Sequence, residues 1–252
     1  MTYSDLLRLI DERATAFRAA VAAAPDLGAQ VPTCPEWTLF DLAEHIGEGR
    51  RRWAATVAAG PADAPPDRAA WPGPLEAPRE RDALLDWLTA STQLLVGALR
   101  EAGPDRGCWT WWGRSQSPRN SAAVARHQLQ QLAVHTYDAQ LVVGAAEPLP
   151  TEIALDGVDE FLSTCCATTS PWPHEPATVD YHATEGRSWR LSLSADGARS
   201  ARTNGEGTAD ASAEGSASEL VLFLYGRILM DALKLEGDRR QFDRLIAWDP
   251  GV

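Results

Sequence analysis

The sequence predicts a mainly α protein with a smaller α+β part: a four-helix bundle followed by a small α/β domain. Three observations carry this expectation. Four long segments between residues 4 and 143 repeat apolar residues with the 3.6-residue helical period. After Pro148-Leu149-Pro150 one more helical stretch gives way to short alternating runs, with Gly186, Asp196-Gly197 and Asn204-Gly205 as turn signals between them. The length of 252 residues suits one large domain or two modest ones, and a hydrophobic fraction of 44% is enough for a proper core. The expected domains are 1–148 and 149–252.

Helix one is expected from Ser4 to about Ala24, with Leu6, Leu7, Ile10, Ala14, Phe17 and Val21 on one stripe. Pro25 and Gly28 end it. The run from Val31 to Trp37 contains Pro32 and Pro35 and reads as a rigid lead-in. Thr38 has the character of an N-cap, with Asp41 three residues on, and opens helix two, which continues to about Ala59. Its stripe is Leu39, Leu42, His45, Ile46, Gly49, Trp53 and Val57. Residues 60–78 are rich in Pro, Ala and Asp and form a long connection. Helix three follows from about Arg79 to Ala102, stopped by Gly103-Pro104. Three tryptophans then crowd into Trp109 to Trp112, before helix four from Ser117 to Val143. Four helices of this length are the pattern of a bundle whose sites lie between facing helices.

In the second part, Thr151 to Ala167 reads as a helix. Ala177 to Ala183 and Ser188 to Leu193 read as strands, with weaker runs at Arg199 to Thr203 and Thr208 to Ala211. Ser218 is expected to cap a final helical region reaching Ile228.

Composition removes several classes of function. A net charge of −12 argues against nucleic acid or an anionic membrane as partner. No uninterrupted apolar run approaches the roughly 20 residues of a membrane span. The N-terminus lacks the basic and apolar regions of a secretion signal. Cys34, Cys108, Cys165 and Cys166 form neither a CxxC pair nor a disulfide framework, which fits a reducing cytoplasm. The expected protein is cytoplasmic, a monomer or homodimer, with small molecules as partners.

The chemistry-bearing residues concentrate on helix four. Gln131 and His135 are four apart and share one face, and Asp138, three further on, leans to the same side. A polar cluster on an inward stripe is costly unless core hydrogen bonds or a metal ion satisfy it. His45 lies on the inner stripe of helix two, and imidazoles from facing helices can converge on one ion. The competing reading is two satisfied core histidines. His127 precedes His135 by eight residues, about 12 Å along a helix, so the two cannot share one ion. Glu48 follows His45 as Asp138 follows His135, so each is either a carboxylate beside its imidazole or, for Glu48, part of a solvated face. Cys34 is either a reactive thiol or a small buried hydrophobe. Trp109, Trp111 and Trp112 either line a pocket or plug the end of the bundle. Arg227, in Leu224-Tyr225-Gly226-Arg227, is either a contact for an anionic substrate or a surface arginine.

Val31-Pro32-Thr33-Cys34-Pro35-Glu36-Trp37-Thr38, then Asp41-Leu42 with His45, then Trp53, resembles the mycothiol-dependent maleylpyruvate isomerase family. So do Trp109 with Trp111-Trp112-Gly113, the run Ala133-Val134-His135 with Asp138-Ala139, and Leu224-Tyr225-Gly226-Arg227. The resemblance spans most of the chain, and the order and spacing of the motifs are more specific than any one of them. It implies a DinB-like bundle that binds metal and thiol, followed by a small α/β domain. It implies a divalent metal, usually zinc, held by two histidines and a glutamate, and mycothiol, the low-molecular-weight thiol of actinobacteria, as cosubstrate. Carried over, His45 and His135 are metal ligands and Gln131 stands where the family has its glutamate. Glutamine is neutral and a weaker donor than a carboxylate, so the ion is weakened, replaced in its third ligand by Glu48 or Asp138, or lost. Trp111, Trp112 and Asp138 fall to mycothiol binding, and Arg227 to the catalytic site as holder of a substrate carboxylate. The implied activity is a metal-dependent thiol transferase or isomerase acting on a small electrophile. The alternative is a metal-poor, non-catalytic binding or interaction protein on the same fold.

Overall fold

The computed structural model describes residues 1–205, 207–248 and 250. The chain divides into two compact units, one made of Met1–Thr110 and Arg119–Pro148, the other of Trp111–Pro118 and Leu149–Val252. Residues 251 and 252 of the expected second domain lie outside the described residues.

The first unit is a bundle of α1 (Tyr3–Ala23), α2 (Leu39–Ala59), α3 (Arg81–Ala102) and α4 (Ser121–Val142). Each helix begins where a side chain takes up otherwise unbonded N–H groups. Thr2 and Asp5 form a reciprocal capping box on α1, and Thr38 and Asp41 form one on α2. Glu80 accepts from Asp82 N and Ala83 N at the start of α3, and Asn120 accepts from Ala123 N at the start of α4. The fourth helix therefore opens at Ser121 and not at Ser117. Ser117 and Pro118 belong instead to the second unit, where the Ser117 hydroxyl lies 2.5 Å from that of Thr164 and Gln116 exchanges bonds with the Ser200 backbone. The lead-in before α2 is a small hairpin, β1 (Gln30–Val31) against β2 (Cys34–Thr38). The core is the expected stripes: Ile10, Phe17 and Val21 from α1, Leu39, Leu42 and Val57 from α2, Leu84, Leu88, Leu95 and Leu99 from α3. α4 is buried on most of its circumference, from Val124 to Ala139.

In the second unit α5 (Thr151–Phe161) runs into a π turn over Leu162–Cys166. A mixed sheet follows, in the order β5-β4-β3-β6-β7, from β3 (Ala177–Ala183), β4 (Arg187–Ser194), β5 (Gly197–Thr203), β6 (Ala211–Gly215) and β7 (Lys234–Gly237). β3 and β6 are parallel; the other pairs are antiparallel. Val179 faces Leu191 and Tyr181 faces Trp189 across β3 and β4, all four buried. The Trp189 indole donates to Asp159 of α5, 3.1 Å away, tying helix to sheet.

Two short helices complete the unit, α6 (Ala217–Leu224) and α7 (Arg240–Ala247). Ser216, boxed with Glu219, caps α6. Ser218 lies inside the helix, and its hydroxyl accepts from Leu149 N at 2.9 Å. The helix ends at Leu224, short of Ile228. The fourth strand occupies residues 211–215, just after the expected 208–211 run. β7 and α7 escape the periodicity argument: β7 is four residues long with Lys234 and Glu236 exposed, and α7 buries only Gln241 and Phe242. No helix among the described residues is long and apolar enough to cross a membrane.

Candidate functional site

The hairpin, α2 and α4 bring one polar cluster together inside the first unit. His45 comes from the second turn of α2, whose start is set by the Thr38–Asp41 box. His135 and Asp138 come from α4, with Gln131 one turn earlier on the same face. The rings of His45 and His135 lie 5.3 Å apart, centroid to centroid, at 75°. Trp37 of β2 completes the group, 4.7 Å from the His45 ring and 6.2 Å from that of His135.

Asp138 is fully buried, and an unpaired carboxylate there would be expensive. Its oxygens are engaged. Oδ1 accepts from the Thr33 hydroxyl at 2.6 Å, and Oδ2 lies 2.9 Å from His135 Nδ1. The Cys34 thiol points at Oδ2 from 3.9 Å. A carboxylate at Nδ1 makes that nitrogen the N–H donor, which leaves the lone pair of His135 on Nε2. His135 is buried, whereas the His45 side chain is exposed. One imidazole is thus oriented from behind and the other is reachable from solvent.

Glu48, three residues after His45 on α2, forms an ion pair with Arg68 of the 60–78 connection. Asp138 is enclosed, and its carboxylate holds His135, Thr33 and Cys34. His127 lies in an aromatic group with Trp53, 6.5 Å from it, and Trp53 lies 6.2 Å from Trp109. Cys34 is half-buried.

Trp111, Trp112 and Arg227 belong to the second unit. Trp112 is fully buried and donates its indole N–H to Pro118 O at 3.1 Å. Trp111 is half-buried and meets Trp112 edge-on at 5.2 Å. Arg227 is half-buried, and its Nη1 donates to Tyr225 O at 2.7 Å. Sequence reasoning did not pick out Thr33 as the partner of Asp138, or Trp37 as the aromatic neighbour of both rings. Both sit in the Val31 to Thr38 run, and nothing in local spacing ties that run to helix four.

Two imidazoles thus approach each other from α2 and α4, one of them backed by a buried carboxylate. Residues 7–140 match the model of the mycothiol maleylpyruvate isomerase N-terminal domain, and residues 152–244 that of the C-terminal domain of the same isomerase. The chain belongs to the mycothiol-dependent maleylpyruvate isomerase family. A crystal structure of the mycothiol-dependent maleylpyruvate isomerase has this fold, with a TM-score of 0.62 and 15% identity over 94% of this chain and 93% of that one. A crystal structure of its histidine-to-alanine mutant gives the same TM-score and coverage at 14% identity. None of the curated proteins matches the chain.

Proposed function

We propose that this protein is a mycothiol-dependent isomerase or thiol transferase acting on a small electrophile that bears a carboxylate. The supporting observation is the approach of His45 and His135 to 5.3 Å in the bundle of a chain of this family. That separation lets both rings reach one ion through bonds of about 2 Å. The donor set is two imidazoles and the neutral amide oxygen of Gln131. Among the described residues no group of three or more His, Cys, Asp and Glu could hold a metal. His45 and His135 alone do not make a three-ligand set, and on this reading they would hold a divalent ion weakly, with Gln131, one turn before His135 on α4, as the neutral third member.

When bound, such an ion supplies Lewis acidity that keeps a thiol ionised near neutral pH. The protein's own groups do the rest. Asp138 fixes the His135 tautomer, and Trp37 shields one side of the imidazole pair from water. In the isomerase reading, the thiolate sulfur adds to one alkene carbon and the π pair moves toward the conjugated carbonyl. Rotation about the resulting single bond and expulsion of the thiolate then restore the alkene in its other geometry. In the transferase reading the adduct takes a proton and is released.

The first test is direct: maleylpyruvate turnover by untagged protein with and without mycothiol. A rate that ignores the thiol overturns the proposal. The second test concerns Gln131. Gln131→Glu adds a harder, negative donor beside His135, so zinc should raise the melting temperature of this variant well above that of wild type. Zinc at a hundred times its Kd contributes about 2.7 kcal/mol, a shift of roughly 5–10 °C in a chain of this size. If zinc moves neither protein, the metal role of His45, Gln131 and His135 is removed.

A further inference from the structure

The face of α2 that carries His45 continues past Gly49 to Arg52. Seven residues are close to two helical turns, so Arg52 lies within about 20° of His45 around the axis and about 10 Å along it. Gly49 falls between them, one turn after His45. His45 and Arg52 are exposed and Gly49 is half-buried, so all three border the same stretch of accessible surface. Helical side chains lean toward the N-terminus, which is the direction of His45 from Arg52.

Neither the backbone nor the packing requires glycine at position 49. Its φ is not positive. A Cβ there would meet nothing within 4 Å. Inside a helix glycine costs about 1 kcal/mol against alanine. Gly47, two residues earlier, is a different case, because a Cβ there would strike the Trp87 ring. A half-buried backbone with open space above it is a hollow, and this one lies between the imidazole and the guanidinium.

Arg52 stands at the edge of the hollow without an acidic partner. On a helix that partner would be the glutamate four residues earlier, but Glu48 pairs with Arg68. The Arg52 guanidinium forms no hydrogen bond or ion pair with any described residue. It sits 5.8 Å from the centroid of the Trp53 ring, which is itself buried beside Trp109 and His127. A cation–π contact steadies a guanidinium and leaves its N–H groups to a ligand. Their fork matches a carboxylate.

We propose that Arg52 binds the carboxylate of the electrophile, with Gly49 giving the molecule room to lie between it and the imidazole pair. This rests on the function proposed above and adds a requirement of length. The carboxylate must be set several bonds back from the carbon that meets the thiolate at His45 and His135.

Maleylpyruvate is the probe, assayed with the full-length protein at saturating mycothiol. Arg52→Gln removes a charge-assisted, two-pronged contact, so the KM for maleylpyruvate should rise about 10–100-fold while that for mycothiol is unchanged. Arg52→Lys keeps the charge without the fork and should fall between wild type and Arg52→Gln. Gly49→Leu fills the hollow and should raise the same KM, yet melt no lower than wild type, because leucine favours helix over glycine and meets no neighbour at its Cβ. A wild-type KM in both Arg52→Gln and Gly49→Leu overturns this assignment alone. An Arg227→Gln variant that raises the KM when Arg52→Gln does not would move the carboxylate to the second unit, and also overturns it. A wild-type protein with no mycothiol-dependent turnover overturns the proposed function, and this assignment with it.

Discussion

Asp138 shows how much one side chain can decide. It lies on the helix that carries His135, but it also collects the Thr33 hydroxyl and the Cys34 thiol from the hairpin. Its charge is what keeps the proton of His135 on Nδ1. Asp138→Asn preserves the shape but offers an N–H to that nitrogen, which favours the opposite tautomer and removes the lone pair from Nε2. Loss of such a backing group typically costs 10–100-fold in metal affinity or activity. We expect thiol-dependent turnover or zinc affinity to drop within that range while the circular dichroism spectrum is unchanged. Unaltered turnover and zinc affinity would make Asp138 a packing residue only. Thr33→Val tests the other oxygen. It removes a hydroxyl donor from a buried carboxylate, and urea denaturation should show a loss of about 1–3 kcal/mol.

At the scale of the element, α2 carries His45, and its placement depends on its cap and its closest contact. Thr38→Ala removes the hydroxyl that accepts from Asp41 N and should cost about 1 kcal/mol of unfolding free energy. Gly47 is the more informative position. A Cβ there would run into the six-membered ring of Trp87 on α3. That ring is buried, anchored by its N–H to Pro74 O at 2.9 Å, and covered by Arg51 at 4.9 Å. Alanine favours helix over glycine by about 1 kcal/mol, whereas overpacking costs about 1–3 kcal/mol. With the ring held on two sides the clash should win, so Gly47→Ala is expected to lower stability by about 1–2 kcal/mol. Adding Trp87→Leu should remove the clash, giving a favourable coupling in a double-mutant cycle. A Gly47→Ala variant more stable than wild type would mean that α2 and α3 separate easily.

For the whole molecule, stability should depend on pH mainly on the alkaline side. Burial pushes the Cys108 thiol up to about 11 and the Cys166 thiol to about 12, from an ordinary value of 9.0, and pushes the Tyr181 phenol upward. Each group holds its proton more tightly folded than unfolded. Its contribution is therefore fully present below the unfolded values of about 9–10 and is lost as pH rises above them. Desolvation lowers the buried Arg50, but a guanidinium stays protonated across the working range and adds little slope. The urea midpoint should be nearly level from pH 7 to 8.5 and fall by pH 10.5. Cys108→Ala should flatten part of that fall. A midpoint that rises from pH 8.5 to 10.5 would contradict the sign of this argument.

Local pattern was enough for the four long helices and for β3, because burial in a two-layer core imposes a period of 3.6 or 2 over many residues. The helical stripes drew attention to His45 and His135, although His45 is exposed rather than on the inward face expected for it, and the i, i+3 spacing paired His135 with Asp138. Capping residues marked helix starts where they stood alone, as at Thr38, and misled where two candidates competed, as with Ser216 and Ser218. What depends on distant chain was not legible. The Thr33–Asp138 bond spans 105 positions, Glu48 turns to Arg68 across a connection with no regular pattern, and residues 111–118 belong with 149–252. Periodicity reports which face of an element is buried. Which side chain meets which partner there is decided only when separate elements pack, since that choice depends on distances the chain sets in three dimensions.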